Sequence, residues 1–181
     1  MKISIINFSG RRGGNCESIL DFLEKKLSKV NEVKCIRQLD LNPCGRCNYE
    51  CFEQRTKCPF LDDDTVGVYD LICDSELAYY VVPNYCDYPN AYFFMFNERG
   101  QCYFQGHEDL LQKYRGIRKK FVIVSNTGVE NFNKAFMYHV SDNAEANILC
   151  LSAKRFNKRS ITGDLLDSPE ARRILAAFMN P

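Results

Sequence analysis

Cys44, Cys47, Cys51 and Cys58 fall within fifteen residues in a C-x2-C-x3-C-x6-C pattern, followed at once by Pro59. Thiols so close in sequence can ligate one iron–sulfur cluster, hold one zinc ion, or act as redox-active dithiols. Only the first pair has the short spacing typical of a zinc knuckle. Arg46, Arg55 and Lys57 are interspersed with them. Cations there would offset the charge of a thiolate-ligated cluster, or lower the pKa of free thiols by stabilising thiolate. The other six cysteines, at 16, 35, 73, 86, 102 and 150, are expected to be free thiols, mostly small core or loop residues. His107 and His139 accompany no acidic or cysteine ligand pattern and are expected in surface or core roles. No Gly-x-Ser-x-Gly elbow is present, so hydrolase chemistry has no support.

Three polar turns could make a ligand site. Ser9-Gly10-Arg11-Arg12-Gly13-Gly14-Asn15-Cys16 lacks both the G-x-G-x-x-G and the G-x-x-x-x-G-K-[ST] fingerprints. It nevertheless suits a terminal phosphate, since small residues let backbone N–H groups approach and a following helix favours an anion. Ser9, Arg11 and Asn15 can donate hydrogen bonds to it. A second turn, Pro83, Asn84, Tyr85 and Cys86, could border a flat heteroaromatic ring. A third, Asn126, Thr127 and Gly128, offers donors to pyrimidine-type carbonyls and room for the backbone to approach. The aromatic run Tyr92, Phe93, Phe94 and Phe96 reads as core or dimer interface.

The elements that must position these turns follow from hydrophobic pattern. Apolar runs at 2–8, 33–39, 77–82, 121–125 and 147–152 read as strands, the third stopped by Pro83. Helical periodicity or helix-start signals mark 16–27, 62–74, a segment opening at Pro89 and closing at Gly100, and 169–178. The stretch near 129–145 reads as a loop with a possible short helix. Strands apolar on both faces, alternating with helices, predict an α/β fold: a doubly wound, five-stranded parallel sheet with helices on both faces. In such a sheet ligands bind outside the carboxyl ends of the strands, at the switch point. At 181 residues the chain is expected to form a single domain over 1–181, with the four cysteines in an insertion or loop at 43–60. Lys plus Arg number 24 against 23 Asp plus Glu, which implies no nucleic-acid or membrane partner. No signal peptide and no apolar run near the roughly 20 residues a bilayer needs are seen, so a cytoplasmic protein is expected.

Taken in order, these motifs resemble the flavodoxin-like NADPH-dependent FMN reductases, especially the branch of iron–sulfur flavoproteins and its cluster-less relatives. That family's first loop, Gly-Ser-Pro-Arg-x-x-Gly-Asn-Thr, is matched by Ser9, Arg11, Gly14 and Asn15, which the resemblance makes phosphate contacts. Cys16 stands in the place of the Thr. The family's Cys-Pro-x-x-Asp-Asp corresponds to Cys58-Pro59-Phe60-Leu61-Asp62-Asp63, and its ring-binding Pro-x-Tyr to Pro83-Asn84-Tyr85. Ala91, Phe96 and Arg99 also fall on family positions, with Glu98 replacing an Asp. The cysteine pattern is one residue longer in its middle step than the branch's C-x2-C-x2-C-x4–7-C.

The resemblance implies a flavodoxin-like fold, non-covalently bound FMN, NAD(P)H as co-substrate, and a quinone, flavin or other small molecule as electron acceptor. It also implies a homodimer or higher homo-oligomer. On Cys44, Cys47, Cys51 and Cys58 it leaves an iron–sulfur cluster, zinc or bare thiols as options. No side-chain catalyst is expected, because the flavin carries the chemistry. Two alternatives stand beside this reading: an electron-transfer protein passing electrons through FMN, with or without iron–sulfur, between protein partners, and a metal or thiol redox sensor without flavin.

Overall fold

In the computed structural model, residues 1–45, 47–136 and 147–179 are described. Six strands, β1 (Lys2–Asn7), β2 (Glu32–Ile36), β3 (Leu77–Tyr85), β4 (Tyr88–Pro89), β5 (Arg118–Val124) and β6 (Ile148–Leu151), form one sheet. Its parallel order is β2-β1-β3-β5-β6, and β4 returns antiparallel on the end of β3. Six α-helices accompany them: α1 (Asn15–Leu27), α2 (Asp64–Cys73), α3 (Ala91–Phe104), α4 (Glu108–Gly116), α5 (Glu130–Phe136) and α6 (Pro169–Met179).

Successive side chains of a strand point to opposite faces, and both faces here are apolar. Ile6, Ala78, Tyr80, Val82, Phe121 and Ile123 meet residues of α2, α3, α4 and α5 in an aromatic-rich core. Ile3, Ile5, Leu77, Tyr79, Val81 and Val122 meet Ile19, Leu20 and Leu23 of α1 and Ala171 and Leu175 of α6. The run at 92–96 belongs largely to the first core: Phe93 and Phe96 are buried, and Phe8 stacks on Tyr80 while meeting both edge-on. The expected doubly wound sheet is therefore present. No helix among the described residues is long and apolar enough to cross a membrane.

Several boundaries differ from the sequence reading. The strand at 33–39 spans Glu32–Ile36. β3 does not stop before Pro83 but runs on to Tyr85, with the Pro83 carbonyl accepting from the Asn90 N–H at 3.2 Å. α3 begins after Asn90, whose side chain caps it, and does not close at Gly100. That glycine sits inside the helix because a Cβ there would meet the Tyr69 hydroxyl at 2.6 Å, so its role is close helix packing. The short helix near 129–145 is α5, while 137–146, with His139, lies outside the described residues. α4 was not foreseen, although Glu108 and Asp109 in its first turn and Lys113 and Arg115 in its last match the helix dipole.

Candidate functional site

The carboxyl ends of β1, β3 and β5 face one cleft, with a cavity of about 280 Å³. Ser9, Arg11, Gly14, Asn15, Cys16, Pro83, Asn84, Tyr85, Cys86, Asn126 and Thr127 line it, eleven of the twelve positions expected from sequence. The twelfth, Gly128, stands behind the wall, its carbonyl accepting from Asn84 Nδ2 at 3.3 Å and from Ser125 Oγ at 3.1 Å. Val124, Ser160 and Ile161 also line the cleft and were missed, and Ser125, which opens the third turn, lines it as well. Ser125 was legible as part of the same polar turn. Ser160 and Ile161 are far along the chain and carry no local signal.

The first turn is organised from within. Asn7 Oδ1 accepts from the Ser9 N–H at 2.9 Å, and Ser9 Oγ accepts from the Arg11 N–H at 3.2 Å. Gly13 takes a left-handed φ of 67°, and Gly14 opens α1 with extended backbone and no side-chain cap. A 13-residue helix thus points an uncapped N-terminus at the cleft beside the exposed Arg11. Burial pushes the Cys16 thiol up to about 12 against the opposing pull of Arg11, so this wall carries no negative sulfur.

Asn15 does something other than its sequence reading suggested. Its Nδ2 donates to the Arg159 carbonyl at 3.0 Å and its Oδ1 accepts from the Leu165 N–H at 3.0 Å. The side chain is a buried latch between the first turn and residues 159–165, which engages its oxygen and one of its two amide N–H groups. Asn126 is a second latch. Its Oδ1 accepts from Ser152 Oγ and from the Lys154 N–H, both at 3.2 Å, and its Nδ2 donates to Ser160 Oγ.

The second turn keeps unused capacity. Asn84 is buried, yet its Oδ1 has no hydrogen-bond partner among the described residues while Nδ2 is held by Gly128. A buried acceptor without a donor is costly unless a ligand supplies one. Beyond it, Tyr85 pairs with Tyr88 across a two-residue hairpin whose central residues, Cys86 and Asp87, take φ of 50° and 68°. Consecutive positive φ at two non-glycine residues is a strained choice for such a turn, and strain of this kind concentrates at binding sites. Tyr85 is 56% exposed beside the cleft.

The four-cysteine segment lies between β2 and α2 and contains two short 3₁₀ turns, Glu50–Phe52 and Arg55–Lys57. Cys51 and Cys58 are buried together with Cys102 of α3, whereas Cys44 and Cys47 are half-buried outside that cluster. Among the described residues, no group of three or more His, Cys, Asp or Glu is arranged to hold a metal ion. An iron–sulfur cluster or zinc on Cys44, Cys47, Cys51 and Cys58 therefore has no support among the described residues: Cys51 and Cys58 pack with Cys102, and Cys44 lies near Cys47 and Cys51 without completing such a group. The expected lowering of thiol pKa is not seen at Cys44, which burial pushes up. Of the three cations, Lys57 pairs with Glu53 at 2.8 Å, Arg46 lies outside the described residues, and the Arg55 side chain is likewise not described.

Arg99 anchors this segment. Its Nη1 bonds Asp63 Oδ2 at 2.6 Å, both side chains being 2% exposed, and also the Asn42 carbonyl at 3.1 Å. Its Nη2 donates to the Phe60 carbonyl at 2.9 Å and Cys58 Sγ at 3.5 Å. Burial would raise the Asp63 carboxyl, but hydrogen bonds from Asn42, Thr65 and Arg99 outweigh it and hold the group below its ordinary value.

No family model matches the chain, and no curated protein matches it. Solved structures do. A Trp repressor binding protein from Bacillus subtilis superposes with a TM-score of 0.64 at 13% identity, covering 98% of this chain and 97% of its own. An NAD(P)H:quinone oxidoreductase from Methanothermobacter marburgensis gives 0.59 at 12% identity over 100% and 97%. FerB, a flavoenzyme NAD(P)H:(acceptor) oxidoreductase from Paracoccus denitrificans, gives 0.57 at 13% identity over 98% and 94%. At these identities the likeness is one of fold, the flavodoxin-like doubly wound sheet.

Proposed function

We propose that this protein binds FMN in the cleft at the ends of β1, β3 and β5, and acts as an oxidoreductase that takes electrons from NAD(P)H and delivers them to a small acceptor of the quinone or flavin class. The observation that carries this reading is the cleft itself: its lining combines an uncapped helix N-terminus beside Arg11 with Asn84, whose buried amide oxygen has no partner among the described residues. The first suits a phosphate and the second a ring N–H. Two structures of the same fold are described by name as NAD(P)H oxidoreductases, which supports the same direction.

Bound flavin would supply the capacity to accept hydride and release electrons singly or in pairs. The chain's part is to bind and orient. Arg11 and the first-turn N–H groups of α1 neutralise the phosphate. Asn84, fixed by the bond from its Nδ2 to the Gly128 carbonyl, would offer its Oδ1 to a ring N–H. Pro83, Val124 and Ile161 provide apolar wall and Tyr85 an aromatic surface beside it. At about 280 Å³ the cavity is slightly under the ~300–1,000 Å³ usual for small-molecule sites.

The test is reconstitution with FMN, followed by steady-state NAD(P)H oxidation with a quinone acceptor. The proposal expects turnover above that of free FMN. Bound FMN without turnover would favour a carrier between proteins, and no bound FMN would refute the reading.

A further inference from the structure

Outside the cleft, the most unusual chemistry in the molecule is a cluster of three thiols from two distant segments. Cys51, Cys58 and Cys102 are each at least nine-tenths buried and pack together against Phe60 and Leu61. Cys102, on α3, packs with both Cys58 and Cys51, whose charges reach its thiol. Arg99, one helical turn before it, donates to Cys58 Sγ at 3.5 Å. A separate cavity of about 740 Å³ opens beside the group, with Cys51 in its wall next to Phe52, Leu61, Val66 and His107. None of its lining residues belongs to the flavin cleft.

We propose that Cys51, Cys58 and Cys102 form a thiol–disulfide site, in which a hydroperoxide admitted through this cavity oxidises Cys51 and Cys102 then closes a disulfide onto the 51–58 segment. The site is independent of bound flavin. The geometry assigns the roles. Cys51 is the thiol that faces the cavity, so it meets the oxidant first. Cys102 lies on a regular helix, packed with both partners and outside the cavity lining. Burial, then the hydrogen bond and charge of Cys58, hold its thiol well above the ordinary value, which suits a group that waits until its neighbour is oxidised.

The steps balance. The Cys51 sulfur attacks the distal oxygen of the hydroperoxide, the S–O bond forms as the O–O bond breaks, and the departing alkoxide takes the thiol proton, giving a sulfenic acid and one molecule of alcohol, or of water when the oxidant is hydrogen peroxide. The Cys102 sulfur attacks the Cys51 sulfur, the S–S bond forms, and hydroxide leaves and takes the Cys102 proton as water. Two thiols have lost two electrons and two protons, and the O–O bond has accepted them. The sulfurs, packed in one cluster, must close to the disulfide length of about 2.05 Å. Cys58, packed in the same cluster, can then exchange with Cys51 for the same link. The product would tie the turn at Glu50–Phe52 to α3 beside the cavity.

The experiment uses the full-length reduced protein, treated with a few equivalents of hydrogen peroxide, quenched with catalase, denatured and alkylated. The expected result is loss of two of ten alkylatable thiols, reversal by dithiothreitol, and a mapped disulfide containing Cys102 with Cys51 or Cys58. Cys102→Ser should give no crosslink and leave a dimedone-reactive sulfenic acid at Cys51, while Cys44→Ser and Cys47→Ser should form the crosslink as wild type does. Should Cys102→Ser fail to fold, the wild-type map decides alone. A disulfide that lacks Cys102, or ten thiols still alkylatable after peroxide, would overturn the proposal.

Discussion

Asp63 and Arg99 show what one pair of side chains does for a long irregular segment. The ion pair is buried, and Asp63 also caps α2 by accepting from the Thr65 N–H at 3.0 Å. Removing one partner strands the other charge out of water, at a cost of about 3–5 kcal/mol. Arg99→Leu is expected to lower the unfolding free energy by that order, read from urea midpoints. A loss under ~1 kcal/mol would mean the pair is solvated. The sign with pH follows from the Asp63 carboxyl lying below its ordinary 3.8 in the folded state. Its stabilisation is complete above that pH and is lost as pH falls through the folded value. Wild type should therefore lose stability below about pH 4 relative to Asp63→Asn. Both residues could be marked from the sequence, by position in a family pattern, but not their contact. Asn15 and Asn126 show the same limit. They were legible as cleft residues, yet their amides engage partners brought near only by the folded chain, as Cys102 is brought to Cys51 and Cys58.

At the scale of elements, the segment at 159–165 closes the cleft wall by lying on the turn before α1. Gly163 takes φ of 73°, and a Cβ there would meet the Gly13 carbonyl at 2.6 Å, so both conformation and space require glycine. Gly163→Ala is expected to destabilise the fold by roughly 2 kcal/mol and to weaken FMN binding, because the Asn15 latch and Ser160 move with the segment. Unchanged thermal midpoint and FMN affinity would show that the segment is not coupled to the site. Such a coupling has no periodic signature, and nothing local marked 159–165 as site-forming. Regular elements were more readable. α1 and α6 were found within a residue or so at each end, since each shows an apolar stripe and the right flanks. β3 was read short because Pro83 looked like a terminator, while in the sheet only its N–H is missing and its carbonyl is still bonded. Gly100 was read as a stop where the real constraint is the packed ring of Tyr69.

For the whole molecule, the sheet was legible because strands apolar on both faces admit few other arrangements. The strand order follows from folding, with the switch point where β1 and β3 lie side by side. The interior also stores an electrostatic cost. Lys119 of β5 is 1% exposed, bonds the Tyr114 and Ile117 carbonyls, and is held down to about 7 by burial, with Cys73 opposing. Between that value and its ordinary 10.5 the unfolded chain binds more protons, so stability from this group rises with pH, by up to ~1.4 kcal/mol per unit. Urea-derived stability of wild type should climb relative to Lys119→Met between about pH 7 and 8.5, and parallel curves would contradict it. The claim that gathers the three strand ends into a function is the flavin site, with Arg11 and the α1 N-terminus on the phosphate. Its most direct measurement is a four-way fluorescence titration, FMN and riboflavin against wild type and Arg11→Glu. The account predicts that wild type binds FMN more tightly than riboflavin by about tenfold or more, and that Arg11→Glu abolishes most of this difference while leaving riboflavin affinity nearly unchanged. Equal affinity of wild type for the two ligands, or a preference for FMN that survives Arg11→Glu intact, would contradict it.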